Sequence, residues 1–142
     1  MEYTNREINL PNTKNPIVCN TVEINDANWL KLKEKISDTY LLGFKAYVDF
    51  CENDDFIGIV PENFSNYKKD KYLHNFIFLV DSLTISNSEH PILCVDLSDQ
   101  PGKYFRVIPS EMWAVENNLT ISNSDFDDFY ESCGSDGIYR GD

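Results

Sequence analysis

The sequence predicts a single-domain α/β sandwich, with a mixed, mainly central sheet of five or six strands flanked by three or four helices. Segments of strand character alternate along the chain with segments of helical periodicity, an order typical of layered α/β folds. Phe76–Val80 is apolar at every position and residues 92–97 are nearly so, as in strands covered on both faces. Pro101-Gly102 then predicts a turn and a hairpin over residues 92–108, which requires one antiparallel pair of strands.

One domain preceded by an arm is the organisation we expect. The first fifteen residues, rich in Asn, Pro and Thr, predict a flexible N-terminal arm, and residues 16–142 then form the domain. β-Branched residues over 17–24 favour a strand. Alternating apolar and polar residues over 44–50 favour a strand with one buried face. The turn-rich tail allows one more short strand at residues 138–140.

Four segments have helical character. They lie near residues 26–36, 61–69, 110–118 and 125–133. Trp29, Leu32 and Ile36 share one face of the first helix. The last helix has an apolar face formed by Phe126, Phe129, Tyr130 and Cys133. Proline at the start of the second segment suits the first turn of a short helix.

Charge restricts the class of partner. The chain carries 24 acidic and 12 basic side chains, a net charge of −12. Residues 72–142 hold twelve of the acids and only three bases, Lys103, Arg106 and Arg140. Such a half repels phosphate backbones, so we expect no nucleic-acid partner. Complementary charge accelerates encounter with a basic protein, which is the partner we expect; acids that only keep the protein soluble are the alternative.

Cysteine spacing and the N-terminus indicate the compartment. The four cysteines are separated by more than thirty residues each. The sequence has no C-x-x-C motif, so it predicts neither a zinc site nor a redox dithiol of that type. Cys19 and Cys94 lie in apolar runs and are expected in the core. The N-terminus lacks the features of a signal peptide, and no apolar stretch approaches the ~20 residues of a membrane span. We therefore expect a cytoplasmic protein with reduced thiols and no membrane contact.

The hexapeptide LTISNS occurs at residues 83–88 and again at 119–124. The flanks of the two copies do not share a hydrophobic pattern, as the units of a true repeat would. Both copies are interpreted as polar connectors, with Ser124 and Asp127 forming a capping box at the start of the last helix. The hexapeptide is thus a coincidence of loop chemistry.

The segment HPILCVDLSDQPGKYFRVIPSEMWAVENNLTISNSDFDDF and the closing DGIYRG carry a family resemblance. They resemble a bacterial domain of unknown function with the motif F-R-V-x-P-[SA]-E-[ML]-W-x-V-E-N-N-L and a D-G-[VI]-[FY]-R-G tail. The resemblance extends more loosely to residue 17, and the chain departs from it at Asp142, where an aromatic residue is expected. It implies a shared domain and no particular activity.

Catalytic motifs are lacking. The sequence has no pattern for nucleophilic hydrolysis or nucleotide binding, and no cofactor is expected. His74 and His90 are the only histidines, and Glu89 could orient His90 as a general base, although a polar loop explains the pair more simply. Asp96, at the end of a strand, and the nearby Asp99 could serve as metal ligands; we expect no metal.

Arg106 and Trp113 are the more informative residues. Arg106 lies on a strand between Phe105 and Val107, and pairing with an acid, such as Asp96 across the hairpin, is favoured over capture of an anion. Trp113 on the following helix is expected to be a core anchor. An exposed Trp among Glu and Asn would instead make a hot spot for protein binding.

The sequence therefore favours a small acidic protein-binding module, within which an immunity or inhibitor protein against a basic bacterial toxin or effector is the finer hypothesis. An enzyme is the less favoured class. The predicted binding residues are Arg106, Trp113, Glu116, Asn117, Asn118, Asp125, Asp127 and Asp128. One alternative is a small metal-dependent hydrolase using Asp96, Asp99, Glu89 and His90. Another is a sensor with a small-ligand pocket lined by Tyr47, Arg106 and Trp113.

Overall fold

The computed structural model of the protein describes residues 8–38 and 43–141. Its strands are β1 (Ile17–Asn20), β2 (Asp49–Cys51), β3 (Phe76–Val80), β4 (Ile92–Asp96), β5 (Tyr104–Val107) and β6 (Ile138–Tyr139). Its α-helices are α1 (Asp26–Ser37), α2 (Ser82–Ser86), α3 (Met112–Thr120) and α4 (Phe126–Glu131). Short 3-10 helices lie at Asp54–Phe56, Pro61–Tyr67 and Pro109–Glu111. In the described parts of the chain, none of the helices has the length and apolar character needed to cross a membrane.

The strands form one six-stranded sheet in the order β2-β1-β3-β4-β5-β6. Strand β4 pairs antiparallel with both β3 and β5, and the other pairs are parallel. The mixed sheet and the hairpin from β4 to β5 confirm the predicted fold class. Every residue of β3 and of β4 is buried, as their apolar sequences predict.

The first face of the sheet carries the α-helices. Trp29, Leu32 and Ile36 of α1 are at most 3% exposed and pack on this face, as their spacing predicts. Helix α4 adds Phe129, whose ring contacts Phe105 of β5. Period-two alternation places these partners on one side of each strand, so this face forms one continuous core.

The second face is covered by irregular chain and 3-10 helices. Phe56, Phe64 and Tyr72 are fully buried against β1, β3 and β4. The Tyr72 hydroxyl accepts a hydrogen bond from the N–H of Ile17 (3.1 Å) and donates one to the carbonyl of Phe76 (2.8 Å). The phenol thus ties the neighbouring strands β1 and β3 together from the layer of irregular chain and 3-10 helices.

The predicted arm has a packed end. Its residues 1–7 lie outside the described part of the chain. Leu10 is fully buried in the core of the second face, and its N–H donates a 2.8 Å hydrogen bond to the carbonyl of Tyr67. The chain is therefore anchored before residue 15, while the mobility and exact boundary of the arm stay predictions.

Three local predictions were wrong in detail. The strand predicted over 44–50 pairs only at β2, because the N–H of Tyr47 donates to the Glu116 carboxylate instead of to a strand (2.7 Å). The first hexapeptide copy forms most of α2, since Asp81 caps it through the N–H and hydroxyl of Thr84. Helix α4 is capped one residue later than predicted, because the N–H of Asp125 donates to Asp128 (2.8 Å).

Candidate functional site

The turn between β4 and β5 lies beside the start of α4, and together they bring five carboxylates to one corner of the molecule. We call this group the acidic corner: Asp99, Asp125, Asp127, Asp128 and Glu131. All five are exposed or half-exposed. Asp99 and Asp125 line one small cavity of about 110 Å³, which joins the turn to the helix. The chain therefore presents these acids on a shared surface.

The turn that carries the corner is rigidly held. Asp96 is 4% exposed, and its carboxylate accepts hydrogen bonds from the N–H groups of Ser98 (2.9 Å) and Gln100 (3.0 Å). Gly102 has a φ of +93°, and a Cβ there would lie 2.9 Å from the carbonyl oxygen of Glu62. Only glycine fits this close approach in the left-handed region, which explains the Pro-Gly turn.

One lysine lies among the carboxylates. The Lys103 ammonium donates to Asp127 at 2.9 Å, and the side-chain amide of Gln100 donates to the same carboxylate at 3.0 Å. The hydrogen bond from Lys103 lowers the pKa of Asp127, and the same bond raises the pKa of Lys103, with Glu131 adding its negative charge. The corner keeps an excess of four negative charges over this single base.

Two exposed tyrosines flank the acidic corner. Tyr104 is 41% exposed and Tyr130 is 43% exposed. The Lys103 ammonium lies 4.1 Å from the centroid of the Tyr130 ring, within the range of a cation–π interaction. Both tyrosines line an open cavity of about 280 Å³, together with Arg106 and Asp136. Aromatic rings beside carboxylates suit a partner's basic side chain, which can stack and pair at once.

Arg106 lies next to this cavity and is paired, as predicted, but its partner is Asp81. The guanidinium donates two hydrogen bonds to that carboxylate, at 3.0 and 2.6 Å, and one to the carbonyl of Pro91 at 3.3 Å. Partial burial works to raise the pKa of Asp81, but hydrogen bonds from Arg106 and Thr84 outweigh it and hold the pKa below its usual value. The suggestion of Asp96 as the partner was wrong, because the Asp96 carboxylate accepts hydrogen bonds from backbone N–H groups of its own turn.

Arg140, near the end of the chain, completes the set of bases in the acidic half. It donates two hydrogen bonds to Glu89 (2.8 and 2.9 Å) and a 2.7 Å hydrogen bond to Asp136. These bonds lower the pKa of both carboxylates and join the tail to the loop before β4. Each base of the second half therefore has an acidic partner, and the exposed remainder of its charge is negative.

The predicted binding residues of α3 lie against another segment. Trp113 is half-buried and stacks on Phe44, with ring centroids 4.8 Å apart, so it is a partial core anchor. Glu116 is only 4% exposed and accepts hydrogen bonds from the N–H of Tyr47 (2.7 Å) and the hydroxyl of Thr120 (2.8 Å). This carboxylate is bound internally and cannot present its charge to a partner.

The two asparagines of α3 bond within their own helix. The Asn117 side chain donates to the carbonyl of Trp113, and that of Asn118 donates to the carbonyl of Ala114. Asn118 also accepts a 2.9 Å hydrogen bond from the side chain of Asn123. These amides therefore stabilise the end of α3 and the turn that follows it.

The residues of the hydrolase alternative do not converge. His90 precedes β4 and Asp96 ends it, so the two residues lie at opposite ends of that strand. His90 bonds through Nδ1 to the carbonyl of Thr84 (2.9 Å), and Glu89 is bound by Arg140. Among the described residues, no group of three His, Cys, Asp or Glu side chains is arranged to hold a metal ion.

The sequence analysis selected Asp125, Asp127 and Asp128 as binding residues but not the two tyrosines that flank the acidic corner. Tyr104 begins a strand, and Tyr130 was predicted on the apolar face of the last helix, so both appeared to belong to packed elements. The prediction for Tyr130 was wrong, because the residue is 43% exposed and its ring lies against Lys103. The usable signal was the position of Tyr104 directly after the Pro-Gly turn, where a strand is only beginning and its side chains are less covered. The pairing of Tyr130 with Lys103 has no local signal.

The fold and this corner define a small α/β domain with an acidic, tyrosine-flanked surface. The family model DUF6924, a domain of unknown function, matches residues 15–142, and the chain belongs to that family. No curated protein matches the chain at a significant level. The match confirms that the chain belongs to a family that is a domain of unknown function, as the resemblance implied.

Proposed function

We propose that the protein is a binding module that captures a basic segment of a protein partner on the acidic corner. The observation that carries this proposal is that two exposed tyrosines, Tyr104 and Tyr130, flank the five exposed or half-exposed carboxylates of the acidic corner. A partner's Arg or Lys fits there, because it can lie on a tyrosine ring while a neighbouring carboxylate neutralises it. Tyrosine and arginine are also the residues that contribute most at protein interfaces.

The net charge supports the same partner. The excess of acids over bases is concentrated in the second half, which contains the acidic corner. A negative surface raises the association rate with a basic protein and lowers it for acidic competitors. Within this class, the finer proposal is an immunity or inhibitor protein that covers a basic bacterial toxin or effector in the cytoplasm. Its support is charge complementarity and small size alone, and the bacterial origin of the family motif belongs to the same proposal.

Capture from an extract of native cells tests the proposal at about 50 and about 500 mM salt, where charge screening differs strongly. The test variant neutralises three acids of the corner: Asp99→Asn, Asp127→Asn and Glu131→Gln. A matched control neutralises three exposed acids elsewhere: Glu23→Gln, Glu34→Gln and Glu52→Gln. Both variants have the same net charge, and each replaces three carboxylates by amides.

The expected result is a basic protein that the unaltered chain and the control variant retain at low salt, and that the corner variant loses by at least about tenfold in affinity. Equal loss from both variants would mean that net charge alone attracts the protein. A partner that is acidic, or one that the corner variant binds unchanged, would refute the proposal.

A further inference from the structure

Two cysteines that are distant in sequence are direct neighbours in the sheet. Cys19 on β1 and Cys51 on β2 are register partners in a parallel pair of strands. Register partners on adjacent strands lie about 4.8 Å apart at Cα, inside the range that a disulfide bridges. Both side chains face the second core, where Cys19 is fully buried and Cys51 is partly buried. The two sulfur atoms therefore point to the same side of the sheet.

We propose that Cys19 and Cys51 are a redox-active pair that a hydroperoxide oxidises to an intramolecular disulfide. The order of reaction follows from exposure. Cys51 lies on a three-residue edge strand and is partly exposed, so it meets the oxidant first. Cys19 is shielded by the strands on both sides of β1 and acts as the resolving thiol.

The chemistry balances in two steps. The Cys51 thiolate attacks one oxygen of the peroxide; the O–O bond breaks, the sulfur becomes a sulfenic acid and, after protonation, water leaves. The Cys19 sulfur then attacks the Cys51 sulfur, the S–O bond breaks, and a second water carries away the Cys19 proton. Two thiols and one hydrogen peroxide give one disulfide and two waters.

Electrostatics favour this division of roles. The neighbouring Cys19 thiol lowers the pKa of Cys51 to about 7, while the Cys51 sulfur and burial raise the pKa of Cys19. A thiol with a pKa near 7 has a much larger thiolate fraction at neutral pH than an ordinary cysteine, and the thiolate is the form that reacts with oxidants. Cys133 is also half-buried, but burial and Asp136 raise its pKa to about 11, which makes it a natural control.

The position of β2 makes the pair reversible. Directly opposed cysteines in a sheet need their Cβ atoms to move slightly together, to about 4 Å. The edge strand can make that shift because, among the described residues, it pairs with β1 alone, whereas β1 itself is held by strands on both sides. Disulfides formed with such adjustment are more readily reduced than relaxed ones, as regulatory disulfides are.

Mass spectrometry of the folded, reduced chain treated with hydrogen peroxide tests the proposal. After remaining thiols are blocked, a non-reducing digest should contain a peptide joining Cys19 to Cys51, with the loss of two hydrogen atoms, and dithiothreitol should release it. Cys19→Ser should stop at a Cys51 sulfenic acid that dimedone captures. Cys51→Ser should leave Cys19 reduced at the same peroxide dose, and Cys133→Ser should form the linked peptide normally.

Several outcomes would overturn the proposal: oxidation of Cys51 to sulfinic acid with Cys19 present, a linkage that forms only in denaturant, or linkage of Cys133 in preference. Circular dichroism before treatment verifies that each variant is folded. Labelling the unaltered chain with iodoacetamide gives an independent readout, because Cys51 should react before Cys19, Cys94 and Cys133. Labelling of Cys133 ahead of Cys51 would contradict the assigned roles.

Discussion

The buried carboxylates of the second half differ from those of the acidic corner in what they contact. Glu116 and Asp96 are each 4% exposed, and backbone N–H groups donate to both of them. Asp99 and Glu131 are exposed at the corner. Removal of a buried carboxylate leaves its hydrogen-bond donors unpaired, whereas water can take the place of an exposed carboxylate. The same residue type therefore supports the fold in one region and is available to a partner in the other.

Glu116→Ala should give the largest loss of stability, about 3 kcal/mol of unfolding free energy, because the Tyr47 N–H and the Thr120 hydroxyl lose a charged acceptor. Chemical denaturation measures this loss. Glu116→Gln is the matched control and should lose about 1 kcal/mol, since one carbonyl oxygen still accepts. Equal losses from both variants would show that charge, and not the hydrogen bond to Tyr47, holds the segment before β2.

Arg106→Met should cost about 2 kcal/mol near neutral pH, since it leaves a half-buried Asp81 without its guanidinium partner. The folded-state pKa of Asp81 lies below its unfolded value, so its contribution is present above about pH 4 and is lost as pH falls through the folded pKa. The difference between the two proteins should accordingly shrink with acidification. Denaturation curves at several pH values measure it, and a difference that grew below pH 4 would contradict the pairing.

Asp96→Ala should cost about 1 kcal/mol, less than the two changes above, because water can reach the freed N–H groups of the exposed Ser98 and Gln100. The turn that carries Asp99 should loosen, and affinity for the basic partner should fall although the corner acids remain. Asp96→Asn keeps one acceptor oxygen, so its stability and affinity should lie between those of the unaltered protein and of Asp96→Ala. Unchanged affinity in Asp96→Ala would show that the conformation of the turn does not contribute to binding of the partner.

Neutralising Asp99 and Glu131 together should leave the thermal midpoint unchanged or slightly higher, because it relieves repulsion among like charges on the surface. Calorimetry measures the midpoint, and binding to the partner should weaken in the same protein. The comparison with Glu116→Ala is direct. The double variant should lose binding while it keeps its stability, whereas Glu116→Ala should lose mainly stability. A large fall in the midpoint would place these acids with the buried group.

The predictability of the site depends on whether its contacts are local. The helix beginning near Asp125 follows from the spacing of its aromatic residues, and the turn at Gly102 from its dipeptide. Arg106 was expected to need an acid, but Asp81 follows a strand that is not its sequence neighbour. The pairing arises because β4 lies between β3 and β5. The registers of the two strand pairs bring the end of β3 level with Arg106 on β5. Nothing near either residue in the chain indicates that alignment.

By itself the sequence determined the α/β class, the mixed sheet, the hairpin and the acidic second half, because hydrophobic period, turn residues and charge are local properties. The tertiary structure decided which carboxylates are buried and which are exposed, and it brought Tyr104 beside Tyr130 and Cys19 beside Cys51. Those contacts depend on strand order and register, which arise from the packing of the whole sheet. A one-residue shift of register would have turned either cysteine to the other face.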